Sequence, residues 1–451
     1  MKHSYMLSIA ALVALAACSQ LSSSGTNPGA PLREVRFPES ARSGRPSPLP
    51  IQHIVIIVQE NRSVDNLFQF LPGARTRSWG RGSQGQKIAL KPESLAAPYD
   101  VAHSHLAFLT EYNKGRLNGF DQDRCRGTCP PRDAAFAYVP KSEVLPYYAL
   151  AQQYAFADNM FETDQGPSFP SHQYLVSGTS AVSDGSSDKA STNPVDPRGA
   201  QTGGCNAPAG TRVEVIDPAG QDPPSLKRYP CFRRTSIMNE MDAAGISWRY
   251  YQANRGAGIW NAVDAIYSIW SNPQEMAANV ITPPAQVLTD IANGQLADVT
   301  WVTPTSQASD HPKQNDGSGP SWVGSIVNAI GTSQYWGSTA IFITWDDWGG
   351  FYDHVAPTIY NSYELGFRVP LIVVSPYAKT AYVSHAQHEF GSILKFTEET
   401  FNLPSLGTTD ARADDLSDCF NFGKHMTRFK RIHTHYPAPY FFRQSSTEPE
   451  D

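Results

Sequence analysis

The chain has 451 residues, of which 40% are hydrophobic, 11% aromatic and 17% charged, and its formal net charge is −6. These proportions provide for a packed core and exclude a globally disordered chain. The negative charge argues against a dedicated nucleic-acid-binding protein, whose surface is usually basic, so we expect no nucleic-acid partner.

The N-terminus has the pattern of an export signal. A short positive region precedes an apolar stretch with small residues at its end, which predicts a signal peptide over residues 1–17. The stretch is shorter than the ~18–20 residues that span a bilayer. The run Leu15-Ala16-Ala17-Cys18 resembles a bacterial lipobox, in which the cysteine is lipidated, whereas ordinary cleavage after Ala16 is the alternative.

We favour lipidation at Cys18, which makes the expected product an exported lipoprotein of the cell envelope. In a Gram-negative cell it would be held at the outer membrane or face the periplasm. Residues 18–50 are rich in Ser, Gly, Pro and Arg and have no apolar period, which predicts a flexible tether. The membrane is therefore an expected partner through the lipid anchor.

Predicted strands and helices alternate after the tether. The β-branched run over residues 53–59 is typical of a strand buried on both faces. The further predicted elements are a helix over 143–156, helix–strand pairs at 237–244 with 246–250, 285–293 with 299–302 and 322–330 with 339–345, a strand over 369–375 and a helix over 390–401. This alternation predicts the α/β class, with a mostly parallel sheet between two helical layers.

Residues 51–451 are expected to form a single domain that contains one insertion. Residues 180–235 are rich in Ser, Gly, Pro and Asp and are too long for a simple connection in a compact domain. Two interpretations stay open: the insertion rims the active site, or it is surface elaboration.

Five cysteines follow the predicted lipidation site. Cys125 and Cys129 are close in sequence, and Cys205 and Cys231 flank a loop rich in Gly and Pro, so two local disulfides are compatible with the spacing and Cys419 is left over. Spacing alone does not establish the connectivity.

Acidic and amide side chains directly follow two predicted strands. Glu60 and Asn61 come after the first strand, and Asp346 and Asp347 after the strand over 339–345. In parallel α/β sheets ligands bind outside the carboxyl ends of strands. Two adjacent carboxylates repel each other unless a cation neutralises them. The set predicts one divalent metal ion with oxygen ligands, for which Ca²⁺, Mg²⁺ or Mn²⁺ is favoured over Zn²⁺; an exposed acidic turn is the alternative.

Three histidines and one serine are further candidates. His103, His311 and His354 each have an aspartate within three positions that could orient the imidazole. Ser168 lies on a stiff turn between two prolines, without the pattern of a nucleophile elbow. From spacing alone, ordinary surface or core histidines and a structural turn are the simpler interpretations.

Six motifs together resemble a bacterial phosphoesterase family, which holds the haemolytic and non-haemolytic phospholipases C and the respiratory-burst-inhibiting acid phosphatases. In chain order the motifs are Glu60–Asp65, Asn118–Asp121, Gly166–Pro170, Asp310–Pro312, Asp346–Val355 and Gly366–Pro370. The resemblance covers about residues 50–425. It implies a three-layer α/β/α sandwich similar to that of alkaline phosphatases, with a metal at the strand ends.

The resemblance also implies roles for single residues. The implied metal ligands are Glu60, Asn61, Ser168, Asp346 and Asp347. The implied catalytic residues are Ser168 as the nucleophile, His103, Asp310 and His311 as groups that hold phosphate and handle protons, and His354 from an Asp-His-Val motif.

These observations predict an exported, metal-dependent hydrolase of phosphate esters. Ser168 and the Asp346-Asp347 pair look more like the acid-phosphatase branch, because the phospholipases usually have threonine and Asp-Glu at these places. The leading hypothesis is a phosphomonoesterase with a metal-activated serine nucleophile. The alternative is a phospholipase C that cleaves phosphodiesters of lipid headgroups, and a catalytically inactive binding lipoprotein is less favoured.

Overall fold

The computed structural model describes residues 49–445. The predicted signal peptide, Cys18 and the predicted tether up to residue 48 lie outside the described residues. Within residues 49–445, none of the helices combines the length and the apolar character needed to cross a membrane.

A central sheet of eight strands organises the molecule. In chain order its strands are β1 (His53–Gln59), β2 (Ala155–Ala157), β3 (Trp248–Tyr251), β4 (Val280–Ile281), β5 (Val299–Val302), β6 (Thr339–Trp345), β7 (Leu371–Val374) and β8 (Tyr382–Ser384). The order across the sheet is β4-β3-β5-β1-β6-β7-β2-β8, and within it β7 alone runs antiparallel to its neighbours. The prediction of a mostly parallel sheet is confirmed.

In the described part of the chain, ten further strands form two-stranded ladders in the loops. They are Trp79–Arg81, Lys87–Ala89, Lys91–Pro92, Tyr99–Val101, Cys125–Gly127, Ala137–Tyr138, Met160–Phe161, Lys189–Ala190, Val215–Ile216 and His388–Glu389. The disulfides Cys125–Cys129 and Cys205–Cys231 are both present, and Cys419 is buried and forms no disulfide with another cysteine of residues 49–445.

Within residues 49–445, ten α-helices connect and cover the strands. They are α1 (Val64–Leu67), α2 (His105–Tyr112), α3 (Leu145–Gln153), α4 (Ser168–Ser177), α5 (Ile237–Ala244), α6 (Tyr267–Trp270), α7 (Pro273–Asn279), α8 (Gln286–Ala292), α9 (Gly319–Gly331) and α10 (Phe390–Phe401).

Helices pack on both faces of the sheet, as β6 shows. Phe342 contacts Phe396 of α10, with ring centroids 5.1 Å apart, whereas Trp345 contacts Tyr147 of α3, with centroids 5.0 Å apart. Positions three apart on a strand point to opposite faces, so the two helices lie in different layers. Every residue of β6 is buried, as its continuous apolar run predicts. The predicted α/β/α sandwich is confirmed.

The helix predicted over residues 143–156 is too long. The helix α3 ends at Gln153, Tyr154 is extended, and residues 155–157 form β2 between β7 and β8. A short apolar run such as Ala155-Phe156-Ala157 fits a helix and a buried strand equally well. Residues 155–157 form a strand because they make hydrogen bonds with β7 and β8 in the sheet.

The insertion over residues 180–235 has a small core of its own. Its apolar residues Val213, Val215 and Phe232 pack in one cluster with Phe169 and Trp260, which lie outside the insertion. The disulfide Cys205–Cys231 closes this segment. The insertion is therefore folded against the main domain at Phe169.

Candidate active site

The four residues predicted at the strand ends lie together at the carboxyl edge of the sheet. Because β1 and β6 are parallel neighbours in register, Glu60-Asn61 and Asp346-Asp347 leave the sheet side by side. The backbone N–H of Asn61 donates to Oδ1 of Asp346 at 2.9 Å, and the amide of Asn61 donates to both oxygens of Asp347 at 3.0 and 3.1 Å. All four side chains are buried. We call these four residues the acidic cluster.

His172 joins the acidic cluster, although its sequence context predicted no role for it. It lies one helical turn after Ser168 on α4. Its Nε2 is 3.0 Å from Oε1 of Glu60 and 3.8 Å from Oδ2 of Asp346. Each of these residues offers a ligand atom, and the three atoms lie within 4.8 Å of one another. The signal that could have revealed His172 is its i+4 spacing from Ser168, which places both on one helical face.

Ser168 begins α4, and its hydroxyl points to the acidic cluster. Its Oγ donates to Oδ2 of Asp347 at 3.4 Å. The sequence predicted a stiff turn here, and the structure adds a helix that begins at Ser168. Pro170 is tolerated because the first helical turn has no intrahelical acceptor for its backbone N–H groups. The N–H of Phe169 donates to Oδ1 of Asn193 at 2.9 Å, so the insertion contacts the residue after Ser168.

His103 and His311 border the acidic cluster, with their ring centroids 6.1 Å apart. Nδ1 of His103 is 2.7 Å from the carbonyl of Val101, and Nδ1 of His311 is 2.7 Å from the carbonyl of Pro312. These contacts favour the tautomers that carry the proton on Nδ1 and a lone pair on Nε2. Nδ2 of Asn61 donates to Nε2 of His103 at 3.1 Å, which links His103 directly to the acidic cluster.

Asp310 is held in the interior behind the strand ends. Its Oδ2 accepts hydrogen bonds from Tyr147 at 2.7 Å and from the indole of Trp345 at 3.2 Å. Burial raises the pKa of Asp310 to about 6, and the hydrogen bond from Tyr147 and the charge of Arg62 oppose that rise. The contacts described for Asp310 are thus with the core rather than with the acidic cluster.

His354 belongs to a separate buried network of charges. Its Nδ1 is 2.7 Å from Oδ2 of Asp65, and Arg368 donates to both oxygens of Asp353 at 2.8 and 3.0 Å. The four residues come from the motifs at 60–65, 346–355 and 366–370. The network therefore ties together the segments that lead into and out of the acidic cluster.

The acidic cluster has the chemistry to hold a divalent cation. Oδ1 of Asn61 and Oδ2 of Asp346 are buried, and neither has a hydrogen-bond partner among residues 49–445. A buried polar oxygen without a partner is costly, and a cation would satisfy both. Together with Glu60, Asp347 and His172, the donors are oxygens plus one nitrogen. The sequence predicted a ligand set made only of oxygens, and the structure adds the imidazole nitrogen of His172 to it.

Two more acids, which no motif indicated, lie beside the acidic cluster. Burial and the neighbouring Asp164 and Asp347 raise the pKa of Glu162 well above its ordinary value. Burial also raises the pKa of Asp164, whose Oδ1 accepts the hydroxyl of Ser171 at 3.0 Å. Both shifts are in the direction that favours the protonated form of these carboxyls.

Comparisons with known proteins give a family match and several relatives. The family described as "Phosphoesterase family" matches residues 51–404. Phospholipase C B of Mycobacterium tuberculosis is 25% identical, in an alignment that covers 82% of this chain and 78% of the relative. A non-hemolytic phospholipase C of Burkholderia pseudomallei is 27% identical, with 82% and 59% covered. A solved protein in the alkaline phosphatase superfamily from Vibrio parahaemolyticus is 10% identical at a TM-score of 0.35, with 83% and 74% covered.

Proposed function

Since this chain belongs to the phosphoesterase family and is a hydrolase of phosphate esters, we propose that it is a metal-dependent phosphomonoesterase with Ser168 as its nucleophile. The observation that carries the proposal is the position of Ser168 at the start of α4, with Oγ 3.4 Å from Asp347 in the acidic cluster. A hydroxyl at a helix N-terminus faces the positive end of the helix dipole, which favours a phosphate anion there.

In the proposed reaction, Oγ of Ser168 attacks phosphorus, the bond to the leaving oxygen breaks, and water later hydrolyses the phosphoserine. Asp347 is placed to accept the hydroxyl proton, since Oγ already donates to it. His103 and His311, once protonated on Nε2, can hold phosphate oxygens or give a proton to the leaving alcohol. A divalent cation at the acidic cluster would neutralise the phosphate charge and lower the pKa of the serine hydroxyl.

Asp310 and His354 remain predicted participants by resemblance, and their described contacts suggest how they would act. Asp310 supports the strand ends through Tyr147 and Trp345. His354 fixes the segment after Asp347 through Asp65. Both would position the acidic cluster rather than touch the substrate.

Variants at Ser168 test the nucleophile. Ser168→Ala should fold and bind vanadate but lose turnover by several orders of magnitude, because no covalent intermediate can form. Ser168→Thr keeps a hydroxyl and should retain part of the activity. The measurement is release of p-nitrophenol from p-nitrophenyl phosphate, together with detection of phosphate on residue 168 in quenched reactions. Turnover by Ser168→Ala near that of the wild type would move the nucleophile to water.

Phospholipase C activity is the second candidate, and the names of the relatives favour it. The phosphorylcholine ester of p-nitrophenol and phosphatidylcholine vesicles test it in the same assay. A preference for the monoester supports the phosphomonoesterase, whereas release of diacylglycerol from the vesicles supports the phospholipase. Activity that survives excess chelator and dialysis on every substrate would contradict metal dependence.

The proposal also includes roles for the insertion and for the N-terminus. The contact between Asn193 and Phe169 supports an insertion that rims the active site. Export and lipid attachment at Cys18 are supported by the sequence of residues 1–18. Metabolic labelling with a fatty-acid analogue should mark the wild type and Cys419→Ser but not Cys18→Ser, and equal labelling of all three would refute the anchor.

A further inference from the structure

A second group of metal-ligating side chains lies away from the acidic cluster. It forms where the edge strand β8 ends at Ser384, at the short strand His388–Glu389, and at the turn Ser417–Cys419. His388, Asp418 and Cys419 each present a ligand atom, and the three atoms lie within 4.8 Å of one another. No step of the proposed reaction uses these residues.

Asp414 fixes the direction of the His388 ring. Its Oδ1 is 2.6 Å from Nδ1 of His388, which holds the proton on that nitrogen and leaves Nε2 as the ligand atom. Metal-binding histidines usually donate their second nitrogen to a carboxylate in this way. Nε2 then faces Oδ1 of Asp418 at 3.6 Å.

The spacing of the donors fits a tetrahedral metal centre. Bond lengths of 2.0–2.3 Å to nitrogen, oxygen and sulfur place neighbouring ligand atoms roughly 3.4–3.6 Å apart around zinc. The 3.6 Å between His388 and Asp418 matches that separation. One imidazole, one carboxylate and one thiol form the mixed donor set of a borderline-soft ion rather than of Ca²⁺ or Mg²⁺.

The charges around the cysteine also favour a cation. A carboxylate oxygen of Asp418 lies within 4.8 Å of the buried sulfur of Cys419. Oδ1 of Asp418 is inaccessible to solvent, whereas Oδ2 already accepts hydrogen bonds from the hydroxyls of Ser384 and Tyr382. A divalent ion would satisfy Oδ1 and stabilise the thiolate.

We propose that His388, Asp418 and Cys419 bind a zinc-class divalent cation at a structural site distinct from the acidic cluster. Oγ of Ser384 lies 3.0 Å from Nε2 of His388 and donates its proton to Oδ2 of Asp418, so its lone pair, or a water molecule, would complete the fourth position. When the ion binds, the thiol proton of Cys419 leaves to solvent and the sulfur becomes a ligand. The site joins the edge of the sheet to the segment that carries residues 414–419.

Cobalt provides a direct readout, because a thiolate ligand gives Co²⁺ an intense charge-transfer absorption that oxygen ligands do not give. The probe is Co²⁺ added to the full chain with its disulfides intact, in a Glu60→Gln, Asp346→Asn background that weakens the acidic cluster. We expect one equivalent of Co²⁺ to produce the band and one equivalent of Zn²⁺ to abolish it.

Matched variants identify the ligands. Cys419→Ser should abolish the band, whereas Cys18→Ser should keep it. Asp418→Asn, at a side chain that is 28% exposed, should weaken Zn²⁺ binding at least tenfold without unfolding the chain, whereas Asp415→Asn should not. A missing band in the parent, or equal Zn²⁺ affinity in Asp418→Asn and the parent, would overturn the proposal. Because turnover is not measured, either result leaves the proposed function untouched.

Discussion

The contribution of His172 to cation binding can be measured separately from any contribution to folding. It bridges Glu60 and Asp346 from α4, the helix that also carries Ser168. An imidazole in that position either binds the cation or orients the carboxylate that does. In the proposed mechanism, both roles would couple the helix that carries Ser168 to the cation.

We expect His172→Gln to lower the affinity for the activating divalent cation about 10–100-fold, the range seen when an orienting partner is lost. Glutamine can still donate to Glu60, so the fold should persist. The measurement is turnover of p-nitrophenyl phosphate against cation concentration, with circular dichroism for folding. The exposed His433 provides the control His433→Gln, which should match the wild type. An unchanged cation dependence in His172→Gln would exclude both roles.

Some residues of the site could be predicted from the sequence, and others could not. Glu60, Asn61, Asp346 and Asp347 could be predicted because they follow continuous apolar strands, and the register of β1 with β6 brings them together. His172 could be predicted only once Ser168 is placed on a helix, because the i+4 spacing puts the two on one face but does not show which strand end that face meets. The role of Asp310 stays a prediction, and its hydrogen bonds from Tyr147 and Trp345 could not be predicted because both residues are far from it in sequence.

At the scale of elements, the turn after β6 determines the shape of the acidic cluster. Gly349 has a left-handed backbone (φ +65°), and its N–H donates to Oδ1 of Asp347 at 2.7 Å. A Cβ on Gly349 would lie 2.3 Å from the carbonyl oxygen of Asn61. The turn and the Glu60-Asn61 segment therefore fit only with glycine at this position.

Gly349→Ala should destabilise the chain by about 1–3 kcal/mol more than Gly85→Ala, since only the first adds a steric clash to the cost of a positive φ. Gly85 has φ +80° and open space around it, which makes it a matched control. Urea unfolding measures the free-energy difference, and cation titration should show weaker binding in Gly349→Ala alone. Equal unfolding midpoints for the two variants would show that the turn adapts.

The bounds of several strands and helices could be predicted from apolar patterns, whereas the pairing of the strands could not. β1 and α10 have the predicted bounds, because a β-branched run and a long amphipathic run are each unambiguous. β2 was hidden in a helical pattern, and the antiparallel direction of β7 follows from the path of its connections rather than from its own residues. Strand direction is a property of the whole sheet, so a local sequence does not carry it.

At the scale of the whole molecule, one buried carboxyl should be visible in the pH dependence of stability. Burial raises the pKa of Asp264 to about 7, and the hydrogen bond from Gln252 at 3.3 Å opposes that rise. Between pH 4 and 7 the folded chain then holds a proton that the unfolded chain releases. The stability that comes from this proton is complete below pH 4 and is lost as the pH rises through 7.

Asp264→Asn should remove this component of the pH dependence, because the amide resembles the protonated acid. Relative to the wild type, its unfolding free energy should rise between pH 4 and 8, by up to about 4 kcal/mol for a shift of this size. Urea unfolding across that range measures the difference. Asp222→Asn, at an exposed residue, should give a flat difference. A flat difference for Asp264→Asn as well would mean that Asp264 is ionised in the folded chain.

The position of β1 in the middle of the sheet has a consequence for the time course of synthesis. Its partners are β5 and β6, and 286 residues separate Asn61 from Asp347. At 5–20 residues per second, the central strand waits roughly 15–60 s on the ribosome before its neighbours exist. Through that interval this strand, which carries five consecutive apolar residues, has both hydrogen-bonding edges open, which makes it a target for chaperones. The nascent chain therefore remains unfolded at its centre until most of the protein has been made.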